Sequence, residues 1–231
     1  QKRKIEKKKG NMKLKICKII FIILLIAAII VLGLIIFKYG RNQINEKETQ
    51  EIVDAFRNID FPNTVAENEI NQNGIVEGEI TNTEKAMPLE YKGYKVIGIV
   101  NIDKIGIEYP ILEIENIDPE TAKVPLQYSI IKYWGNDVND YGNLSIAGHN
   151  YIDGTMFGKT KKLEIGDIIE LTDLTGKTVQ YSVYDIFSTE PNDVSILLPE
   201  EENSREVTLI TCTNGNKKRL IVKAREISNI Q

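Results

Sequence analysis

The spacing of apolar and polar positions divides the chain into three textures. Residues 19–37 (IIFIILLIAAIIVLGLIIF) carry no charge over nineteen positions. As a helix that run is about 28 Å long, close to the hydrocarbon thickness of a bilayer. Residues 41–88 are polar, rich in Glu, Asn and Thr. Within them Ile44, Ile52, Val53 and Phe56 have the spacing of a short amphipathic helix. Beyond Pro62 there are few aromatics and little periodicity, as in a flexible spacer. From Tyr91 the apolar runs become short and β-branched. Residues 94–100 and 105–112 read as strands split by the turn Asn101-Ile102-Asp103-Lys104. Residues 143–147, 168–171, 179–187, 207–212 and 219–222 read as further strands. Residues 114–125 are loop-like, with room for a helical turn after Pro119. Residues 126–134 fit strand or helix, and residues 151–160 form a turn leading into a short helix. Residues 188–204 make a long polar loop around Ile196-Leu197-Leu198. Many short strands, regular turns and little helix predict an all-β barrel or sandwich.

The apolar run is preceded by a basic arm. Residues 1–18 hold nine Lys or Arg against one Glu, so the formal charge of −4 for the whole chain hides about +8 there and about −12 in the remainder. A secretory signal peptide is the rival reading of this pattern. Its apolar region is normally about 7–15 residues and ends in small residues, whereas this run is longer and ends in Phe37-Lys38-Tyr39-Gly40. An uncleaved signal anchor is therefore expected, with the cationic arm on the inside and everything after Lys38 outside. The expected organisation is a cytoplasmic arm (1–18), a single-pass cell-membrane span (19–37), an extracellular linker (38–88) and a globular domain (89–231). The acidic remainder offers no nucleic-acid-binding face.

Cysteine and histidine are scarce enough to constrain the chemistry. The chain has two cysteines and one histidine. Cys17 sits at the inner boundary of the span, so it cannot pair with Cys212 across the membrane. No Cys/His zinc cluster can be built. Any Cys–His chemistry outside the membrane must use Cys212 and His149. Cys212 ends the run Val207-Thr208-Leu209-Ile210-Thr211-Cys212. The connector Thr213-Asn214-Gly215-Asn216-Lys217-Lys218 contains Asn-Gly, a strong hairpin signal. A four-residue loop sets Arg219 opposite Cys212, and a two-residue turn sets it diagonal on the same face. A three-residue loop flips it to the other face. A cation beside a cysteine favours the thiolate, which is the nucleophile.

Thr208-Leu209-Ile210-Thr211-Cys212, followed by Arg219-Leu220-Ile221-Val222 and preceded by Ile146-Ala147-Gly148-His149-Asn150, resembles the sortases. The opening Ile97-Gly98-Ile99, Ile102-Asp103-Lys104-Ile105-Gly106-Ile107 and Tyr109-Pro110-Ile111 is similar to that family's first strands, so the resemblance covers about residues 91–231. It implies an eight-stranded sortase-type β-barrel with short helices, preceded by the transmembrane helix. It also implies a cysteine transpeptidase of Gram-positive bacteria. Such an enzyme cleaves a C-terminal sorting signal through a thioacyl-enzyme and passes the acyl group to an amine of a cell-wall precursor or a pilin. Cys212 matches the nucleophile, His149 the general acid/base and Arg219 the third active-site residue. Thr211 matches the residue that helps hold the oxyanion. Residues 188–206 correspond to the family's substrate-lining connection. There Val194, Ile196 and Leu197 are candidates for the wall that holds the sorting signal, or else belong to the core. Asp153-Gly154-Thr155-Met156-Phe157 is similar to class B members. The compact connector 213–218 and Pro191-Asn192-Asp193-Val194-Ser195 are similar to classes A and D. No cofactor is implied. Calcium modulates some class A members through loop carboxylates, and Glu113, Glu115, Asp118 and Glu120 are read here as a solvated acidic loop. A surface cysteine protease and a non-catalytic barrel that binds a cell-surface ligand are the alternatives.

Overall fold

The computed structural model describes residues 2–59, 89–118, 120–201 and 203–227. The expected spacer beyond Pro62 lies outside them. Helix α1 (Lys2–Arg57) contains Cys17–Phe37, the helical stretch long and apolar enough to cross a membrane. The chain divides into two compact units, Gln1–Lys47 and Glu48–Gln231. The strands all belong to the second.

Among the described residues there are nine strands: β1 (Glu90–Tyr91), β2 (Tyr94–Ile102), β3 (Ile107–Leu112), β4 (Ile130–Gly135), β5 (Gly142–Ala147) and β6 (Ile168–Asp173) come first. β7 (Thr178–Thr189), β8 (Arg205–Thr213) and β9 (Lys218–Glu226) complete the set. Their order is β1-β2-β3-β4-β5-β8-β9-β7-β6, and β2 also pairs with β6. That last pairing closes β2–β9 into an eight-stranded barrel, with β1 as a short appendage on β2. The expected barrel is therefore present, and closure removes the open sheet edges. Several strands run one to four residues beyond the ends expected from the sequence, β9 as far as Glu226, and two connections differ in kind. Asp103–Ile105 is a 3-10 turn, because Gly106 at φ 61 ends it and restarts the chain as β3. The ambiguous run 126–134 is both things in succession, a 3-10 turn at Pro125–Gln127 and then β4.

β2, β3 and β8 read as continuous apolar runs because both their faces are buried, whereas β6 and β7 alternate buried with partly exposed positions. Ile111, Ile130, Ile146, Leu209 and Val222 face a core to which all eight barrel strands contribute. Their neighbours Leu112, Ile131, Ala147, Ile210 and Ile221 face a second cluster on the outside of the barrel. Val53 and Phe56 of α1, Ala122 and Ile196 cover that cluster. Ile52, Val53 and Phe56 of the amphipathic stripe thus pack on the barrel: Val53 is fully buried, Phe56 is nearly so, and Arg57 pairs with Glu108. Truncating Val53 removes two buried methyl groups and leaves a void. Val53→Ala is expected to lower unfolding stability by about 2 kcal/mol, measured by chemical denaturation of the barrel unit.

Candidate functional site

Register brings the site together. Ala147 pairs with Ile210 across the parallel β5–β8 ladder, and Ile210 pairs with Ile221 across antiparallel β8–β9. These three lie in one row in the outer cluster. Side chains alternate along a strand, so the residues two places further on point the same way. On β8 and β9 they are Cys212 and Arg219, which pair directly. On the extension of β5 the residue is His149. Cys212 and Arg219 therefore face each other on adjacent strands, and His149 lies two residues past the end of β5, the strand on the other side of β8.

The hairpin adopts the four-residue loop. Thr213 pairs with Lys218, and the Lys217 N–H closes on the Asn214 carbonyl at 3.2 Å. Asn214, Gly215 and Asn216 are all left-handed, with φ of 49, 61 and 70°. Asn and Gly tolerate that conformation better than other residues. Arg219 is half-buried, and its Nη1 donates to the Asn216 and Lys218 carbonyls at 3.4 Å.

The His149 loop is tied down at several points. The Gly148 N–H donates to Ile210 at 3.1 Å, and the Thr211 hydroxyl donates to the Gly148 carbonyl at 2.7 Å. The Asn150 side-chain amide donates to the Cys212 carbonyl at 2.7 Å. The Phe157 N–H returns to the His149 carbonyl at 3.0 Å. Gly148 is needed for space: a Cβ there would meet Phe157 Cδ2 at 2.8 Å. Met156 is left-handed at φ 47°, and its N–H donates to the Tyr109 hydroxyl at 3.0 Å. The Tyr151 ring lies 5.0 Å from the imidazole, centroid to centroid. Burial of His149 lowers its pKa below the ordinary 6.5. Since this is the sole histidine, its ring resonance is expected to titrate below 6.5 in a proton NMR pH series. The unfolded chain then binds the extra proton first. The stability contributed by neutral His149 is complete above about pH 6.5 and is lost as pH falls through the folded value.

The loop before β8 flanks the same row. Ile196 is buried in the outer cluster and Leu197 packs against it, whereas Val194 is 71% exposed. The Leu197 carbonyl accepts from Asn143 at 2.9 Å, and Asn143 in turn accepts from the Thr208 hydroxyl. Asp193 accepts from Thr189, the residue paired with Arg219 on β7. Glu206 anchors the loop's far end. It accepts from the Glu200 and Glu201 N–H groups, the Ser204 and Tyr184 hydroxyls and the Arg225 guanidinium. Burial alone would raise its pKa, but these donors together hold it below the ordinary carboxylate value. Sequence reading gave no role to Glu206 or to Asn150. A lone Glu at a strand entrance is ordinary in sequence, and only the folded loop brings its donors together.

The acidic segment has local partners. Asp118 accepts the Glu120 and Thr121 N–H groups at 2.7 and 2.9 Å, and Glu113 pairs with Lys95. A cavity of about 310 Å³ lies elsewhere, lined by Phe56, Arg57, Ile99, Glu108, Glu170 and neighbouring residues, with none of the thiol–imidazole–guanidinium set.

The closed eight-stranded barrel defines a class of fold, and the Cys212–Arg219 pair with His149 on the loop after the neighbouring strand is its candidate site. The sortase domain model matches residues 100–227, and the chain belongs to the sortase family. It is 28% identical to sortase A of Staphylococcus aureus over 135 residues, which is 58% of this chain and 63% of that protein. The match thus spans less than two thirds of that relative. Among solved structures, a Clostridium perfringens sortase D5 transpeptidase is 34% identical at a TM-score of 0.50, covering 58% of this chain and 80% of the other. Streptococcus pneumoniae sortase C is 28% identical at a TM-score of 0.50, covering 57% and 66%.

Proposed function

We propose that this protein is a membrane-anchored cysteine transpeptidase with Cys212 as nucleophile. The Cys212–Arg219 pair, with His149 on the loop after the neighbouring strand, carries the reading. Neutral His149 takes the thiol proton, and the thiolate sulfur attacks the scissile carbonyl carbon of a bound peptide. The tetrahedral oxyanion forms beside Arg219, a fixed cation and hydrogen-bond donor. Collapse breaks the C–N bond, and His149 returns its proton to the leaving amine. A thioester on Cys212 remains. An incoming amine attacks it, gives a proton to His149, and the sulfur leaves.

Thr211 supports this chemistry by fixing Gly148, since its hydroxyl proton is already committed there. The wall of the peptide groove is formed by Val194, Ile196 and Leu197, with Ile196 as its buried root. The substrates are secreted proteins with a C-terminal sorting motif. The acceptor is an amine of a peptidoglycan precursor or a pilin lysine, in keeping with the pilin substrates of the pneumococcal relative. The helical stretch Cys17–Phe37 is the anchor, with the basic arm in the cytoplasm and the barrel outside.

The test is to incubate the detergent-solubilised chain with a library of fluorogenic sorting-type peptides, with and without an amine, and to weigh the products. Amine-linked product is the expected result. Hydrolysis alone, whatever the amine, would make the protein a surface protease. No cleavage and a Cys212 inert to thiol probes would leave a binding barrel.

A further inference from the structure

The parallel ladder between β5 and β8 outlasts the β5 backbone. In a parallel pair every second N–H of one strand donates to the other. The Gly148 N–H reaches the Ile210 carbonyl, so the next donor in series would be the backbone N–H of Asn150, aimed at Cys212. By then the backbone has turned away: Asn150 bridges to Met156, and the His149 carbonyl faces the Phe157 N–H. The side-chain amide of Asn150 fills the vacated place, 2.7 Å from the Cys212 carbonyl oxygen. A carbonyl can only accept, so the group presented to it is the NH2. On the other side of the histidine, Thr211 holds Gly148. His149 is therefore bracketed, residue before and residue after, by bonds to the strand that carries the thiol.

We propose that Asn150 is a positioning residue, which keeps the His149 imidazole in register with the Cys212 sulfur by extending the β5–β8 ladder through its side chain. This inference rests on the transpeptidase reading for its kinetic consequence but not for its geometry. Without the amide, the chain just after His149 loses this tie to β8. The ring is then held less firmly, and it drifts from the thiol toward solvent. A displacement of about 1 Å at a reacting group can lower a rate by about a hundredfold. Substrate binding, which uses the groove beyond the row, is little affected.

The test uses the full chain in detergent micelles, with its single histidine isotopically labelled. Three variants are compared: Asn150→Ala, Asn150→Asp, whose carboxylate has the same shape and cannot donate, and Asn150→Gln, which keeps the amide. In Asn150→Ala the His149 titration is expected to move up toward the ordinary value as the ring gains solvent; in Asn150→Asp the added carboxylate raises it as well, so the alanine variant decides the titration. The kcat per folded protein is expected to fall about 10- to 100-fold in both, with KM changed by less than about threefold. Asn150→Gln recovers part of both effects. A His149 titration that stays in place in Asn150→Ala overturns the inference. So does a kcat loss that disappears once rates are normalised to the folded fraction measured by near-ultraviolet circular dichroism, since that is loss of folded protein alone. The NMR measurement needs no substrate. A wild-type chain that never acylates would sink the transpeptidase reading, while the His149 signal would still decide the role of Asn150.

Discussion

Cys212→Ala is expected to abolish acyl-enzyme formation and peptide cleavage, with a loss on the order of 10⁶-fold where a nucleophile is removed from a site that works as a unit. The fold should survive. Cys212 is half-buried, one residue from the end of β8, and its backbone pairing with Arg219 does not depend on the sulfur. The measurement is intact-protein mass spectrometry after mixing with a cleavable peptide, together with a thermal melt. The wild type should gain the mass of the acyl fragment, and the variant should gain none while melting within a few degrees of it. Cleavage by the variant at the wild-type rate would remove Cys212 from the mechanism. A variant that fails to melt cooperatively would show instead that the thiol is structural. Cys17, the other cysteine, lies in the apolar stretch of α1, so residual thiol labelling must be assigned by peptide mapping.

Glu206→Ala is expected to destabilise the barrel unit by about 2–3 kcal/mol, the range for removing a charged acceptor from buried donors. The Glu206 side chain is 1% exposed and sits on the Arg225 guanidinium. It also receives two backbone N–H groups of the loop that carries Val194, Ile196 and Leu197. The variant leaves those donors without their acceptor, so faster amide exchange at Glu200 and Glu201 should accompany the drop in stability. The pH dependence has a definite sign. The folded carboxylate titrates below its unfolded value, so between the two the unfolded chain holds more protons. The stability Glu206 contributes is fully present above about pH 4.5, the ordinary glutamate value, and is lost as pH falls through the folded value. Glu206→Ala should flatten that acid limb in urea melts run from pH 3 to 7. An unchanged limb would mean that another carboxylate controls it.

Much of the site was legible before the fold was seen. One histidine and one cysteine beyond the membrane stretch left a single possible pair. The resemblance around Thr211-Cys212, Arg219 and Gly148-His149 assigned their expected roles. The hairpin register was open among three values, because Asn-Gly is compatible with more than one loop length. The choice fell to three successive left-handed residues and to the pairing of β9 with both β8 and β7. The groove residues were undecided for a similar reason. Val194, Ile196 and Leu197 have the same apolar character in sequence, yet Ile196 is 5% exposed and Val194 71%. Exposure in a loop is set by what the loop lands on, here Ala147, Ile210 and Ile221.

By itself the sequence determined the apolar stretch, the strand-rich domain, the thiol, the imidazole and the guanidinium. Each depends on residue type and on spacings of a few positions. Tertiary structure alone decided which strands lie side by side. It placed β5, distant in sequence, parallel to β8, and so set His149 beside Cys212. It folded residues 190–201 over the outer face and gathered donors around Glu206. It packed Val53 and Phe56 on the barrel, and it turned the amide of Asn150 into the last rung of a ladder. These are long-range pairings, whose free energy depends on surfaces that exist only once the barrel has closed.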